Sequence, residues 1–306
     1  MKGYAMKKVL IIGGNGFVGG HLVMSAIQRG FSPAIADMGD TPSIQGIQYF
    51  KCDITNYDNI LCVFEAFRPD FAINVAAVAD IDKAEQNRRL AEMVNVVGAA
   101  NAARAAAAVG AKYCWFSSDA VFDGKGADYT EDSPQAPVNY YGKTKEMGEE
   151  AVLKANPGAI VPRISLVLGF PLKEGNSFLA GLYAKLTSGQ QVMGYTYEIR
   201  TPVDVLTLCQ AIYELYEIDY CGVIHIGSTA SISRYELTKL LAEKLGFNSV
   251  LVAPSDEVDT TRALRHRNGI ISVGRAQAVL KSTSMLSVEE TVDRALTTIR
   301  KEEIYQ

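Results

Sequence analysis

Short, wholly apolar runs alternate with amphipathic segments through the first half of the chain. Val9-Leu10-Ile11-Ile12 is apolar at every position and runs into Gly13-Gly14-Asn15-Gly16-Phe17-Val18-Gly19. A strand with no polar face is buried on both sides, as in a parallel sheet. The amphipathic stretch that follows predicts a helix from about Gly16 to Arg29, stopped by Gly30. The same unit recurs. Strands are expected at Ser32–Ala36, Ile47–Lys51, Phe71–Val75, Lys112–Phe116 and Ala159–Ser165. Between them lie helices at Tyr57–Phe67, a long one reaching about Ala108 with Gly110 as its stop, and one that starts near Tyr140 and ends before Pro157. Asn139 can cap the last of these. Asn95 is a polar residue within the long helix, and a solvated position is expected for it. Strand–helix alternation of this kind argues a doubly wound parallel sheet.

Beyond Ser165 the alternation loosens. Gly169-Phe170-Pro171 and Gly175-Asn176 are turn signals. Helices are expected at Ser177–Ser188, at Val205–Tyr216 under an Asp204 cap, and at Tyr235–Leu245 under a Ser233 cap, with Ser272 and Ser287 opening two more. Gly222–Ile226 reads as a short strand. The expected fold class is therefore α/β: a Rossmann-like, doubly wound sheet over residues 1–165, rejoined by segments near 200–227. A smaller lobe over 166–306 would shape a substrate pocket above the sheet edge.

Composition narrows the partners. The chain has 306 residues, 48% of them hydrophobic, enough for a large core. Net charge is −4 with no basic block, so neither nucleic acid nor a membrane surface is expected as a partner. No apolar run approaches the ~18 residues that span a bilayer, and the apolar run at Val9–Ile12 is too short for a signal peptide. Cys52, Cys62, Cys114, Cys209 and Cys221 form no Cys-x-x-Cys pair, and they read as reduced core thiols of a cytoplasmic protein. His21, His225 and His266 lack metal-ligand spacing, so no metal is expected.

The glycine turn carries the first chemical signal. Gly13, Gly16 and Gly19 are spaced Gly-x-x-Gly-x-x-Gly between a strand and a helix. Without side chains in the way, backbone N–H groups can reach a pyrophosphate, and the helix dipole adds favourable charge. Asn15, Phe17 and Val18 complete the turn. Asp37 closes the next apolar run 18 residues past Gly19, about where an acidic residue would hold an adenosine ribose. An NAD(H) or NADP(H) cofactor is expected. Asp53, followed by Ile54, either faces the adenine or caps the next helix. Ala76 and Ala77 either leave room for the ligand or allow tight helix–sheet packing. Asp82 and Glu85 either serve the pocket or begin a helix. The loop Gly124–Val138 is long, and long loops inside compact domains are often functional.

The second signal is Tyr-x-x-x-Lys. Tyr141 and Lys145, four apart, share one helix face, whereas Tyr140 has Thr144 at that offset. A phenol with a reference pKa of about 10 is a poor base, and a nearby ammonium is expected to lower that value. The pair could pass a proton to or from a substrate oxygen. Ser118, at the end of a strand, could orient the carbonyl.

These residues resemble the extended short-chain dehydrogenase/reductase family and, within it, the dTDP-4-dehydrorhamnose reductase group. The glycine turn, Ile81-Asp82-Lys83-Ala84-Glu85, the segment from Ser117 to Gly124, and Asn139-Tyr140-Tyr141-Gly142-Lys143-Thr144-Lys145 with Gly148-Glu149 all match. Arg265-His266-Arg267-Asn268 stands where the group has Arg-Pro-x-Asn. The resemblance implies Ser118, Tyr141 and Lys145 as a catalytic triad, with Lys145 also on the nicotinamide ribose. It further implies a nucleotide-sugar pocket, for which Asp82, Asp119, Arg200 and Arg265 are candidates. Arg262, Arg265 and Arg267 either meet the diphosphate or form a solvated basic stretch. Arg163 and Arg200 either line the pocket or pair structurally. Two departures, Ala120 for Tyr and His266 for Pro, bear on which sugar is taken. The leading expectation is an NAD(P)H-dependent reductase of a keto group on a nucleotide-linked sugar, with a homodimer left open. The alternatives are an epimerase with retained NAD and a non-catalytic dinucleotide-binding regulatory subunit. A 4,6-dehydratase is not expected, because Ala120 stands where those enzymes carry a second carboxylate.

Overall fold

The computed structural model describes residues 6–126, 128–173 and 175–299. β1 (Lys8–Ile12) leads through the glycine turn into α1 (Phe17–Gln28), and Gly30 beyond it takes a left-handed φ of 74°. β2 (Ser32–Asp37), β3 (Gln48–Lys51), α2 (Tyr57–Phe67) and β4 (Phe71–Asn74) follow close to their expected limits. The cap of α2 is Asn56, whose side chain accepts from Asn59 N. Asp53 instead accepts from Thr55 N and Oγ1 at 2.9 and 2.8 Å, so it shapes the turn before the helix.

The long helix is not continuous. It comprises α3 (Ile81–Gln86), α4 (Arg88–Glu92), a π-helical turn over Met93–Gly98 and α5 (Ala99–Val109), ended by Gly110 in the left-handed region. Asn95 lies in the π turn and is 0% exposed, contrary to the solvated position expected. Its amide reaches both β4's exit loop and the next long helix, contacts that chain order does not reveal.

β5 (Lys112–Trp115) and β6 (Ser117–Ser118) precede a 3₁₀ turn over Asp119–Val121, and then come α6 (Tyr140–Ala155) and β7 (Ile160–Ile164). Asn139 caps α6, accepting from Gly142 N at 2.8 Å. The chain continues through β8 (Leu166–Leu168), α7 (Phe178–Thr187), β9 (Val192–Tyr195), β10 (Ile199–Arg200), β11 (Pro202–Asp204) and α8 (Val205–Glu217). Then come β12 (Gly222–Ile226), β13 (Ile232–Ser233), α9 (Arg234–Lys244), β14 (Val252–Ser255), β15 (Asn268–Gly269), α10 (Gly274–Val279) and α11 (Val288–Leu296). Asp204, Ser233 and Ser287 cap their helices as expected, and Ser177, expected as the first residue of α7, caps it instead. Ser272 does not: α10 starts after Val273 with no side-chain cap.

The main sheet is parallel, in the order β12-β7-β5-β4-β1-β2-β3, with β6 also on β7. The order reverses beside β1, so a crevice opens at the carboxyl ends of β1 and β4. Val9, Ile11, Phe71 and Ile73 face one core layer, shared with α1 and α8. Leu10, Ile12 and Ala72 face the other, shared with α2 and the alanine-rich α5. A third core, around Leu179, Leu237, Leu241 and Val292, belongs to the C-terminal elements.

Cys52, Cys114 and Cys209 are buried free thiols, but Cys62 and Cys221 are exposed, so the core reading holds for three of the five. No group of side chains among the described residues could hold a metal ion. No described helix is long and apolar enough to cross a membrane.

Candidate active site

The glycine turn is built around two close approaches. Gly13 has φ of 82°, and a Cβ there would lie 2.8 Å from Ala76 N. A Cβ on Gly19 would lie 2.2 Å from Gly13 O. Only glycine lets α1 begin this near the sheet edge. Gly16 is the N-cap of α1 and offers no side chain to its first N–H groups, which remain for an anion. This cradle fits the pyrophosphate of a dinucleotide. Asp37 stands at the end of β2, where its carboxylate accepts from Asn15 N at 3.1 Å and Gly39 N at 3.4 Å. Asp53 lines a small depression with Met38, Lys51, Cys52 and Asn59. Ile54 is buried in the core beneath it and packs on Gly98. Ala76 N is held by Asn74 Oδ1 at 3.0 Å.

A cleft of about 340 Å³ runs from this turn to the end of β6. Gly13, Gly16, Phe17, Val18, Gly19 and Ala77 line one end; Ser118, Tyr141 and Lys145 line the other, joined by Ser165. Part of the expected cofactor set thus shares one space with the triad, while Asn15, Asp37, Asp53, Ile54 and Ala76 are not among the residues lining it. Tyr140 points elsewhere: its hydroxyl donates to Glu92 at 3.1 Å and its ring lies under Arg88.

Lys145 is 3% exposed. Its Nζ donates to Phe116 O at 2.8 Å and lies 4.5 Å from the Trp115 ring centroid and 5.7 Å from that of Tyr141. Burial pulls its pKa down to about 7, against the opposing charge of Glu149 one turn on. Burial likewise pushes Tyr141 up to about 12, with a hydrogen bond from Ser118 working the other way and Asp119 adding to the rise. The expected lowering of the phenol by its lysine is therefore absent. Taking each group out of water outweighs the neighbour that favours its charged form, Ser118 for Tyr141 and Glu149 for Lys145, so each is driven towards its neutral form. A neutral phenol is the form that can give a proton away.

Asn95 supports this arrangement from behind. Its side chain accepts from Val78 N at 2.9 Å and donates to Val78 O at 3.2 Å and to Thr144 Oγ1 at 2.9 Å. It ties the loop after β4 to α6 one residue before Lys145. A Cβ on Gly148 would lie 2.7 Å from Asn95 O, so α6 and the π turn are in direct contact. Neither Asn95 nor Ser165 carries a sequence signal beyond its position, because the partners lie in distant elements.

The expected substrate residues divide. Asp82 and Arg265 take each other, with Arg265 Nη1 and Nη2 on the two carboxylate oxygens at 2.7 and 2.6 Å. The Arg265 bond holds the Asp82 carboxyl down at about 2. Arg200 is buried and donates to the carbonyls of Ile199, Arg267 and His266, a structural rather than pocket-lining use. Asp119 lies beneath Ser118, which donates to it at 3.0 Å. Arg163 is committed to Glu149 through two bonds of 2.8 and 2.7 Å. Glu85 accepts from Tyr140 N at 3.0 Å. Arg262 lies over the Tyr195 ring and Arg267 over the Tyr197 ring. These two arginines, with Tyr197, Glu198, Leu264 and Arg265, line a second cavity of about 350 Å³.

The described residues of the 124–138 loop do not line the cleft. Tyr129 donates to Asp123 at 2.5 Å, and Asn268 Nδ2 donates to Gly126 O at 2.5 Å. Glu131 accepts from His225 N at 2.9 Å, and Glu131 and Asp132 both pair with Arg275. The two acidic residues are thereby drawn to the far edge of the sheet.

Residues 6–300 match the family model described as the RmlD substrate binding domain. The crystal structure of a dTDP-4-dehydrorhamnose reductase from Bacillus anthracis, in complex with NADP, superposes with a TM-score of 0.84 at 28% identity, covering 96% of this chain and 100% of that one. The probable low-salt glycan biosynthesis reductase Agl14 of Haloferax volcanii is 26% identical over 88% of this chain and 91% of its own. Methionine adenosyltransferase 2 subunit beta of Pongo abelii is 31% identical over 71% of this chain and 67% of its own. The chain belongs to the RmlD substrate binding domain family, a group of the extended short-chain dehydrogenases/reductases, and has its Rossmann-like fold.

Proposed function

We propose that the protein is an NAD(P)H-dependent reductase of a keto group on a nucleotide-linked sugar, of the dTDP-4-dehydrorhamnose reductase kind. The observation that carries this reading is the single cleft that gathers the glycine cradle with Ser118, Tyr141 and Lys145. A bound reduced nicotinamide supplies the hydride. The turn from Gly13 to Gly19 binds the diphosphate, and Asp37 meets the adenosine ribose. Asp53 and the backbone at Ile54 border the adenine, while Ala76 and Ala77 leave room beside the sheet edge. Ser118 donates to the carbonyl oxygen, and Tyr141, a neutral phenol, hands that oxygen its phenolic proton. Lys145 lies within reach of the nicotinamide ribose, and its charge, when present, stabilises the phenolate that remains. Arg262 and Arg267, which line the second cavity, are the cations for the substrate diphosphate. Residues 1–165 with the segments near 200–227 form the cofactor lobe in this reading, and the remainder of 166–306 the substrate lobe.

A second reading has its own support. The likeness to methionine adenosyltransferase 2 subunit beta favours a dinucleotide-binding subunit without turnover. The experiment that separates the two is loss of NADH or NADPH absorbance with dTDP-4-dehydrorhamnose and related keto sugar nucleotides. Turnover supports the reductase; cofactor binding with no turnover across the panel overturns it in favour of the subunit.

A further inference from the structure

The Ser118 hydroxyl has one proton, and two groups compete for it: Asp119 Oδ1 and, on the cleft side, the Tyr141 oxygen. The bond to Asp119 Oδ1 is 3.0 Å, and Ala120 N donates back to Ser118 Oγ at 3.2 Å. A carbonyl held by Ser118 needs that same proton. The difficulty is how strongly Asp119 keeps it.

Asp119 is 2% exposed, so its charge is balanced inside the protein. The balancing is one-sided. Oδ2 accepts from Ser165 Oγ at 2.7 Å, faces His266 Nε2 at 3.0 Å and lies 3.9 Å from Arg200 Nε, whereas Oδ1 has Ser118. Burial by itself would raise the Asp119 carboxyl; His266, Arg200 and Ser165 outweigh it and hold the group below the usual carboxylate range. Donors crowded on Oδ2 draw the negative charge there and leave Oδ1 the weaker acceptor.

The approach of His266 is a built feature. A Cβ on Gly269 would lie 2.4 Å from Asp119 Oδ2 and 2.7 Å from His266 Nε2, so the pair meets because position 269 has no side chain. Arg200 Nη2 holds His266 O at 3.2 Å. The other ring nitrogen, Nδ1, is buried without a hydrogen-bond partner. An ionised carboxylate can only accept, so at 3.0 Å it is Nε2 that carries a proton and donates it to Asp119. The resembling reductases have proline here, which could donate nothing.

We infer that His266 is a positioning residue for carbonyl reduction: by holding Asp119 Oδ2 it loosens the grip of Oδ1 on the Ser118 proton and frees that proton for the substrate carbonyl. This rests on the reductase reading. It acts on the orientation of Ser118 and touches neither substrate nor cofactor.

The test is steady-state reduction of dTDP-4-dehydrorhamnose, or whichever keto sugar nucleotide the wild type turns over, by wild type, His266→Leu, His266→Asn and His266→Gln. Leucine cannot donate and asparagine is too short to reach Oδ2; both are expected to lower kcat by about 10–100-fold, the scale of one hydrogen bond to a charged group. KM and cofactor affinity should be unchanged. Glutamine, whose amide can reach Oδ2, should recover most of the loss. Combined with Ser118→Ala, His266→Leu should cost nothing further, because the two act through one hydroxyl. If leucine does not fold, asparagine carries the comparison. Wild-type kcat in the leucine and asparagine variants, no rescue by glutamine, or losses that add to those of Ser118→Ala would overturn the inference alone. A wild type that binds cofactor but reduces no keto sugar would overturn the reductase reading and this inference with it.

Discussion

Replacing Lys145 by methionine should make the cofactor-free protein more stable at neutral pH while abolishing most of its activity. Burial takes the pKa of Lys145 from its ordinary 10.5 to about 7. At about 1.4 kcal/mol per pH unit, carrying the ammonium into the site costs the fold about 5 kcal/mol at pH values below 7. Methionine escapes that cost and keeps much of the volume. It gives up the bond to Phe116 O and the position over Trp115, together about 2–3 kcal/mol. The net gain at neutral pH is about 2 kcal/mol. The unfolded chain binds more protons than the native one between pH 7 and 10.5, so wild-type stability from this group rises across that window and is constant below it. Methionine does not titrate. Its advantage should shrink by about 1.4 kcal/mol per pH unit, vanish at about pH 8.5 and stand as a deficit of about 2 kcal/mol by about pH 10, where the folded wild-type lysine is neutral. Urea unfolding of both proteins at a series of pH values measures the difference directly. A difference that stays flat from pH 7 to 10 would show that Lys145 is not held below its ordinary pKa, and the account of burial outweighing its partners would fall.

Tyr141→Phe should retain cofactor affinity and lose about 10²–10⁴-fold in kcat, since only the proton donor is removed; near wild-type kcat on the true substrate would take the acid role from Tyr141. Wild type should show a higher kcat/KM with NADH than with NADPH, because a carboxylate accepts from a ribose 2′-hydroxyl and repels a 2′-phosphate. Lys51, the nearby cation, is paired with Asp40 at 2.5 Å, so Asp37→Ala should shift the preference towards NADPH; an NADPH-preferring wild type, or no shift, contradicts this. Asn95→Ala should destabilise the protein by about 2–3 kcal/mol, because Val78 N and O and Thr144 lose a buried partner. It should also lower kcat, and an unchanged denaturation midpoint and kcat would make the Asn95 bridge inert.

What the sequence made legible was local. An apolar run, a glycine where the chain must turn, and an oxygen-bearing side chain one residue before a helix are read within a few residues. Hence α2, β12 and the caps Asn139, Asp204, Ser233 and Ser287 appear where they were expected. Asn95 was misjudged because its bonds span 17 and 49 positions, and a lone polar residue in an apolar helix carries no mark of them. The π turn follows from the same cause, as tertiary contacts on both sides reshape the helix there. Ser272 offered the right side chain for a cap, but α10 starts elsewhere. The pairing of Asp82 with Arg265 joins positions 183 residues apart; residue type suggested a use for each, and only the fold shows that they use each other. The pKa directions of Tyr141 and Lys145 were unreadable for a related reason. Spacing gives the distance between two groups on a helix, whereas the loss of water around them depends on everything packed nearby.

The late return of β12 to the main sheet has a consequence for dividing this protein. Its five residues, Gly222 to Ile226, pair in parallel with Ile160 to Ile164 of β7, and every residue of β7 is buried. A chain cut after residue 165 would leave that strand as an open edge, with apolar faces and unmatched N–H and C=O groups. Such an edge recruits other copies and promotes aggregation. Chimaeras that graft one relative's C-terminal elements onto this sheet therefore need a junction that keeps β12 with its native neighbour. A crossover after residue 226 respects that requirement; one at 165 replaces the strand that seals the sheet.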